Sequence, residues 1–225
     1  YDDLIKGRTV DLLCVSGAER QYLKPLFAAA SPAAVRDKYD LKPAVRALAM
    51  RAARCPAEEI DEGTVSALAT LTHELFENTQ EHATADVAGI SYRRHVELLS
   101  AGWIELDEGE EGRELRVNGR LSDYCRALGE LQRGRRSRAA GICFSFLDSG
   151  PGMAARLTGK DYVALSLDEE RRALQACLRM HVTSKLDLGT GGGFESVLTQ
   201  ASQAGGLVRI RSGRHSIFRC FLPGE

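Results

Sequence analysis

The segment Asp148–Met153, with the sequence Asp-Ser-Gly-Pro-Gly-Met, directly follows the apolar run Ile142–Leu147. This run alternates aromatic or aliphatic residues with small ones, which predicts a buried strand. A carboxylate at the end of a buried strand is costly unless it has a hydrogen-bond partner. The two glycines let the backbone turn tightly and approach a flat ligand. An acidic acceptor beside bare backbone suits the amino edge of a purine, although an ordinary strand-to-turn connection explains these six residues equally well.

The composition of the chain sets limits on its class. It has 225 residues, of which 44% are hydrophobic, so it can form one large domain or one domain with an appendage. A net charge of -1 gives no indication of a nucleic-acid partner or an anionic membrane surface. No run approaches the roughly 18 apolar residues of a membrane span, and no signal-peptide pattern opens the chain. The 6 cysteines include no C-x-x-C pair, which favours reduced thiols in a cytoplasmic protein.

Residues 1–60 carry no motif that can be tied to chemistry, and we expect them to form an N-terminal cap or an interaction segment. Thr9–Val15 is predicted to be a strand and Gln21–Ala30 a short helix. A second helix is predicted over Ala44–Arg54, with Pro43 as an early helical residue.

A long helix is predicted from Asp61, because apolar residues recur there at helical spacing. The predicted buried stripe consists of Val65, Leu68, Leu71, Leu75, Phe76 and Thr79. Glu74 and Asn78 are four residues apart and share a different face of this helix. A carboxylate beside a carboxamide can hold a hard cation and a water, and Mg²⁺ prefers oxygen ligands while keeping several waters. A solvated polar face of the helix also explains the pair.

The segment from Gly89 to Ala140 gives weaker signals. Ile90–Leu99 is predicted to be a strand or a helix, and Glu105–Glu114 an acidic loop. Leu121–Leu131 is predicted to be an amphipathic helix. The arginine-rich run that follows has no interleaved aromatic residue, which favours a solvated loop over a nucleic-acid site.

The C-terminal part contains a glycine-rich loop between two predicted helices. Asp168 is expected to cap the first helix, which ends at Met180. The loop Thr183–Gly193 has glycine at four of its last five positions, so its backbone amides can point at phosphate oxygens. The second helix is predicted over Phe194–Gln203. A closing hairpin is predicted from two strands, Leu207–Arg211 and Ser216–Leu222.

Three of these segments, in this order, resemble the motifs of the GHKL superfamily of ATPases, which includes gyrase B, the large heat-shock chaperones, histidine kinases and MutL. Glu74–Asn78 is similar to the N-box, and Asp148–Met153 to the D-x-G-x-G-[MI] box. Gly189–Gly193 is similar to the second glycine box at the end of the ATP lid. The resemblance covers residues 61 to 223. It implies an α/β fold of the Bergerat type, a two-layer sandwich with helices on one face of a mixed sheet.

The resemblance also implies a nucleotide site that holds ATP with Mg²⁺. In this family pattern Asn78 binds the metal, Glu74 activates the attacking water and Asp148 accepts a hydrogen bond from the adenine amino group. The lid resembles that of MutL at Thr183–Lys185 and at Gly193 and Phe194. The expected nucleotide-binding residues are Asn78, His82, Asp148, Gly150, Gly152, Met153, Thr183, Ser184, Lys185, Gly189, Gly191, Gly193 and Phe194.

We therefore expect residues 61–225 to be an ATP-binding domain with an insertion at about 90–140. The expected function is that of a slow, Mg²⁺-dependent ATPase that acts as a conformational switch, with a protein partner that senses the lid. A protein kinase domain acting on histidine or serine is the alternative, and a nucleotide-binding module without turnover is a third. The sequence leaves the GHKL subfamily and a homodimeric state open.

Overall fold

The computed structural model describes residues 9–16, 23–28, 34–53, 60–106, 119–132, 139–178 and 193–222. Within these ranges the strands are β1 (Thr9–Ser16), β2 (His95–Leu106), β3 (Ala139–Asp148), β4 (Leu207–Ser212) and β5 (His215–Cys220). The helices are α1 (Lys38–Ala53), α2 (Glu62–His82), α3 (Gly119–Gln132), α4 (Met153–Thr158), α5 (Leu167–Cys177) and α6 (Gly193–Gln203). A short 3₁₀ turn, Tyr162–Ala164, precedes α5.

The strands form two antiparallel sheets, one with the order β1-β2-β3 and one with the order β4-β5. An α/β fold is confirmed, but the expected mixed sheet is wrong for the described strands, since every pair among them is antiparallel. A parallel pair is usually joined by a single crossover helix. Two helices, α1 and α2, separate β1 from β2, and one helix, α3, separates β2 from β3, yet both pairs are antiparallel.

The main core lies between the three-stranded sheet and the helices α1 and α2, which pack on one of its faces. Phe76 of α2 is fully buried at its centre, with edge-on ring contacts to Phe27 at 5.7 Å and to Phe146 of β3 at 4.7 Å. The other buried members of this cluster are Cys14, Leu26, Leu41, Val45, Leu48, Ala52, Ala69, Leu99 and Ala101. Because β1 and α1 contribute to this core, contacts cross the predicted boundary near residue 60, which stays a prediction.

The helix predicted from Asp61 is confirmed, and Asp61 is its N-cap, accepting a hydrogen bond from the backbone N–H of Thr64 at 2.9 Å. Val65, Phe76 and Thr79 are buried as expected. The leucines of the predicted stripe are only half-buried, and the small residues Ala67, Ala69 and Thr72 are buried instead. The helix packs against α1 and α6 as well as β3, so small side chains meet its neighbours on several sides.

Three local predictions need correction. The helix expected over Gln21–Ala30 is wrong for the described residues Leu23–Ala28, which form turns and a bridge from Phe27 to Val35. Pro43 lies inside α1, which begins at Lys38. The last correction concerns α5, whose N-cap is Ser166 and whose last residue is Cys177.

Ser166 replaces Asp168 as the cap because it forms a reciprocal capping box with Glu169. The Ser166 hydroxyl accepts a hydrogen bond from the backbone N–H of Glu169 at 3.2 Å, and the Glu169 carboxylate accepts one from the backbone N–H of Ser166 at 2.9 Å. Two otherwise unpaired donors are satisfied in this way. The structure also confirms β1, β3, α3, α6 and the closing hairpin. Among the described residues, no helix has both the length and the apolar character needed to cross a membrane.

Candidate functional site

The segment Asp148–Met153 forms a turn that is fixed to the neighbouring strand. Asp148 is the last residue of β3 and is the Cα partner of Glu97 on β2. Ser149 continues the pairing beyond the strand: its backbone N–H donates to the Val96 carbonyl at 3.0 Å, and its hydroxyl accepts from the Val96 N–H at 2.9 Å. The carboxylate of Asp148 is therefore held at a defined position at the exposed end of the sheet.

Gly150 brings the same turn against the C-terminal end of α2. A Cβ at this position would overlap the Cβ of Ala83 and would lie 2.8 Å from both the Ala83 Cα and the Asp148 Oδ1. The Gly150 N–H donates to that same Oδ1 atom at 2.7 Å. Only glycine fits here, because the backbone itself is packed between the helix end and the carboxylate.

Gly152 and Met153 join the turn to the C-terminal hairpin. Gly152 has a φ of 85°, a region that favours glycine, and a Cβ there would lie 3.1 Å from the Ser212 hydroxyl oxygen. That hydroxyl accepts a hydrogen bond from the Met153 N–H at 2.9 Å, at the first residue of α4. The turn is thus held by β2, by the end of α2 and by the end of β4.

An ion pair between a buried carboxylate and a partly exposed guanidinium fixes the hairpin in turn. Glu170 of α5 is 1% exposed and accepts hydrogen bonds from the Arg214 backbone N–H at 2.8 Å and from its Nε at 2.7 Å. Burial acts to raise the pKa of Glu170, but the two hydrogen bonds and the charge of Arg214 outweigh it and hold the pKa below its usual range. No sequence pattern indicates this pair, because its members are 44 residues apart.

The predicted metal and water ligands lie on a different part of α2. Glu74 and Asn78 are half-buried, and in the described part of the chain neither side chain makes a hydrogen bond. Both lie about 160° around the helix from Phe76, on the side turned away from the sheet. From the helix end at Ala83, Asn78 is about 7.5 Å and Glu74 about 13.5 Å back along the axis. His82 ends the helix, with its Nε2 3.7 Å from a carboxylate oxygen of Glu81.

The lid residues divide into two groups. Thr183, Ser184, Lys185, Gly189 and Gly191 lie outside the described residues. Gly193 and Phe194 are the first residues of α6, and their side chains are also outside the description. The helix they begin packs against α2. The three motif-bearing elements are therefore neighbours: α2 contacts α6, and its C-terminal end contacts the turn Asp148–Met153.

A buried polar cluster that was not predicted from the sequence lies beside Asp148. His95 and Glu97 of β2 are each 2% exposed, and the His95 Nδ1 lies 3.7 Å from the Glu97 Oε1. The Gln80 amide of α2 donates a hydrogen bond to that same Oε1. The signal for this cluster is the alternation of His95 and Glu97 with apolar residues in a strand whose next same-face residue, Leu99, is in the core.

The pKa values of this cluster are set mainly by burial. Burial raises the pKa of Glu97 to about 7; the hydrogen bond from Gln80 opposes this rise and the charge of Asp148 adds to it. Burial lowers the pKa of His95, against the opposing effect of Asp148. Near neutral pH the imidazole is therefore neutral and Glu97 titrates.

The side chains of Asp148 and Asn78 carry oxygen atoms of the kind that a nucleotide amine and Mg²⁺ would use. Asp148 is exposed, and within the described part of the chain only its Oδ1 accepts a hydrogen bond, so its second oxygen is open to a donor. The bare backbone of Gly150 lies beside it. No group of three or more His, Cys, Asp or Glu side chains in the described residues could hold a metal ion. Mg²⁺ bound at Asn78 would need only its amide oxygen, together with phosphates and waters.

Comparisons of the chain with models of known protein families, with characterised proteins and with solved structures found no match.

Proposed function

We propose that the chain is a Mg²⁺-dependent ATP-binding protein of the GHKL type, a slow ATPase in which the nucleotide acts as a conformational switch. The observation that carries this proposal is the turn at the end of β3. An exposed carboxylate with one open oxygen lies there beside bare glycine backbone, directly against the end of α2. A carboxylate of this kind is a strong acceptor for an amino group.

Asp148 would select the base. Its open oxygen would accept a hydrogen bond from the exocyclic amine of adenine. The missing side chain at Gly150 lets the turn pack against Ala83, so that the Gly150 N–H holds the other oxygen of the carboxylate in place. Guanine has a carbonyl oxygen where adenine has this amine, so two acceptors would face each other. The site should therefore prefer ATP to GTP.

Asn78 and Glu74 would act on the phosphate end. Asn78 would hold Mg²⁺ through its amide oxygen, and Glu74, one turn earlier on the same helix, would orient a water and accept its proton. ATP supplies the phosphoanhydride bond, and Mg²⁺ offsets the charge of its phosphates. Both side chains are half-buried and make no hydrogen bond in the described part of the chain, so neither is committed to a structural role there.

The switch would act through the contact between α2 and α6. The glycine-rich loop with Lys185 leads directly into α6, which packs on α2, the helix that carries Asn78 and Glu74. Contacts of the loop with the nucleotide would therefore favour one arrangement of α6 against α2. A protein partner that binds this region would sense the bound nucleotide through that arrangement.

Calorimetry with ATP and GTP tests the binding site. We expect Asp148→Ala to lose about 1.5–3 kcal/mol of ATP affinity, a weakening of ten- to a hundredfold. The matched control is Asp123→Ala, which removes an exposed aspartate of α3 that pairs only with Arg126 in the described residues. Equal ATP affinity in Asp148→Ala and wild type, or no preference over GTP, would remove Asp148 from the adenine.

Radiolabelled ATP then separates the activities. Asn78→Ala should abolish the Mg²⁺-dependent part of binding, whereas Glu74→Gln should retain ATP and release phosphate about 10²–10⁴-fold more slowly. Glu77→Gln is the control, since Glu77 is an exposed glutamate one turn away that pairs with His73. Label on a partner protein without release of phosphate would replace the ATPase by a protein kinase.

A further inference from the structure

Glu97 faces Asp148 across the sheet. The two residues are Cα partners of the antiparallel pair β2–β3, so their carboxyl groups leave the sheet on the same face. The Cβ atoms of such partners are about 4.5–5.5 Å apart, which is within reach of two carboxyl groups. Glu97 is almost fully buried, whereas Asp148 is exposed. The pair thus joins the proposed adenine acceptor to a carboxyl inside the core.

The other groups that face Glu97 are neutral. Cys14 is its partner on β1, and burial, with a smaller effect of Glu97 itself, raises the pKa of this thiol to about 11 against an opposing backbone hydrogen bond. His95 on β2 is neutral because burial lowers its pKa. Gln80, from α2, has no charge. In the described part of the chain, no lysine or arginine is within ion-pair distance of Glu97.

We propose that Glu97 is the positioning residue of the adenine acceptor: its neutral form leaves Asp148 as the single charge of the pair and permits binding of the base, and its ionisation weakens that binding. This proposal rests on the proposed function of Asp148. A base that docks on Asp148 displaces water from its carboxylate, beside a Glu97 side chain that is already buried. Two adjacent carboxylates without water or a cation are costly, so the occupied site favours a proton on Glu97.

The neutral form also offers chemistry that the carboxylate lacks. A protonated carboxyl has one O–H donor, which can point at the Asp148 carboxylate and hold it in place. The proton comes from solvent and returns to it when the base leaves. Because the pKa of Glu97 is about 7 without ligand, the change of form takes place close to neutral pH.

The probe for this proposal is adenosine, since ATP carries a phosphate that titrates near neutral pH and adenosine does not. Its affinity for the wild type should be constant below about pH 6, fall as the pH rises through about 7, and level off about tenfold lower if docking raises the pKa of Glu97 by about one unit. Glu97→Gln, which keeps the shape and an acceptor for Gln80, should bind adenosine with an affinity that does not change with pH.

Two further variants separate positioning from mere structure. Glu130→Gln removes an exposed glutamate of α3 and should keep the wild-type pH profile. Gln80→Leu removes the hydrogen bond that favours the charged form of Glu97, so the fall in affinity should move to higher pH. If Gln80 only stabilised the fold, its removal would not change the pH at which the adenosine affinity falls.

The outcomes distinguish the two proposals. Adenosine affinity with the same pH dependence in wild type and Glu97→Gln, or an unmoved midpoint in Gln80→Leu, would overturn the role of Glu97 and leave Asp148 as the adenine acceptor. No binding of adenosine or ATP at any pH would overturn the proposed function and, with it, the role of Glu97. A pH-dependent wild type beside a pH-independent Glu97→Gln is the supporting result.

Discussion

Glu97 and Glu170 are both almost fully buried carboxyl groups, 2% and 1% exposed, but their pKa values shift in opposite directions. Glu97 has a neutral amide, Gln80, as its donor and a carboxylate, Asp148, as its neighbour, so burial raises its pKa to about 7. Glu170 is just as buried, but it has the guanidinium and backbone N–H of Arg214, which lower its pKa. Burial alone therefore does not set ionisation; the charge of the nearest partner decides it.

The opposite pKa shifts distinguish the structural ion pair of Glu170 from Glu97, which titrates near neutral pH. The Glu170–Arg214 pair holds the turn between β4 and β5 against α5 in one charge state. Glu97 has no such compensating charge in the described residues and changes its charge near neutral pH, beside the proposed adenine acceptor. A strongly raised pKa next to an exposed carboxylate is what functional sites often show, whereas a lowered pKa in an ion pair is common in structural contacts.

The largest effect is expected when the partner of Glu170 is removed. Arg214→Ala leaves a buried carboxylate with one backbone donor. Because the Arg214 side chain is 38% exposed, water can replace part of the lost contact, so the free energy of unfolding should fall by about 2–3 kcal/mol. The control is Arg171→Ala, because Arg171 forms an exposed pair with Asp168 on the same helix as Glu170 and should cost less than about 1 kcal/mol. Denaturant unfolding measures both. Equal losses in the two variants would mean that the Glu170–Arg214 pair stabilises the fold no more than an exposed pair does.

The pH dependence of stability should have opposite signs for the two carboxyl groups. The folded pKa of Glu97 is raised from 4.5 to about 7, so its contribution is complete below about pH 4.5, declines as the pH rises and is lost above about 7. The span is up to about 3 kcal/mol. The folded pKa of Glu170 is lowered, so its contribution is present above its ordinary pKa and is lost as the pH falls through the folded value.

Unfolding of wild type, Glu97→Gln and Glu170→Gln at a series of pH values tests this contrast. The stability advantage of wild type over Glu97→Gln should shrink between pH 4.5 and 7, and the advantage over Glu170→Gln should shrink only in acid. Parallel curves for the two variants would show that the partners do not set the ionisation of these carboxyl groups.

Smaller effects are expected from the glycine beside the ion pair. Gly213 has a φ of 57°, and a Cβ there would overlap a carboxylate oxygen of Glu170. Gly159 has a similar φ of 66° but nothing within 4 Å of the same atom. Gly159→Ala should therefore lower the free energy of unfolding by about 1 kcal/mol, the cost of a positive φ for alanine. Gly213→Ala should lower it by about 1–2 kcal/mol more, because its Cβ also meets Glu170. Thermal unfolding measures the difference; equal losses would mean that Glu170 moves aside freely.

The sequence predicts the elements of this molecule better than the contacts between them. The helix from Asp61 and the strand before Asp148 have strong periodic patterns, so both are found where expected. Three acidic residues in the first turn of α5 made the cap at Ser166 ambiguous. The described strands do not form the expected mixed sheet, an expectation that came from the family resemblance and not from any pattern of the strands.

The same limit applies to the candidate site. Its exposed members, such as Asp148, belong to a short motif that can be recognised locally. Gln80, near the end of α2, meets Glu97, near the start of β2, and Glu170 meets Arg214 across 44 residues. Such contacts depend on the register of a strand and the position of a helix, which no local pattern specifies. The buried carboxyl groups could therefore not be assigned from the sequence.

The smallest effect tests the link between Asp148 and Glu97 in the protein without ligand. Asp148→Asn keeps the acceptor for the Gly150 N–H and removes the charge that adds to the raised pKa of Glu97. The pKa of Glu97 should fall, but by less than the rise caused by burial, which is the leading cause. Carbon-13 spectra of the side-chain carboxyl groups follow this titration directly, and Asp123→Asn, an exposed aspartate on α3, should leave it unchanged. An unchanged titration in Asp148→Asn would show that the two carboxyl groups do not sense each other. The opposite pKa shifts of Glu97 and Glu170 would then be explained by their hydrogen-bond donors alone, a neutral amide for Glu97 and a guanidinium for Glu170.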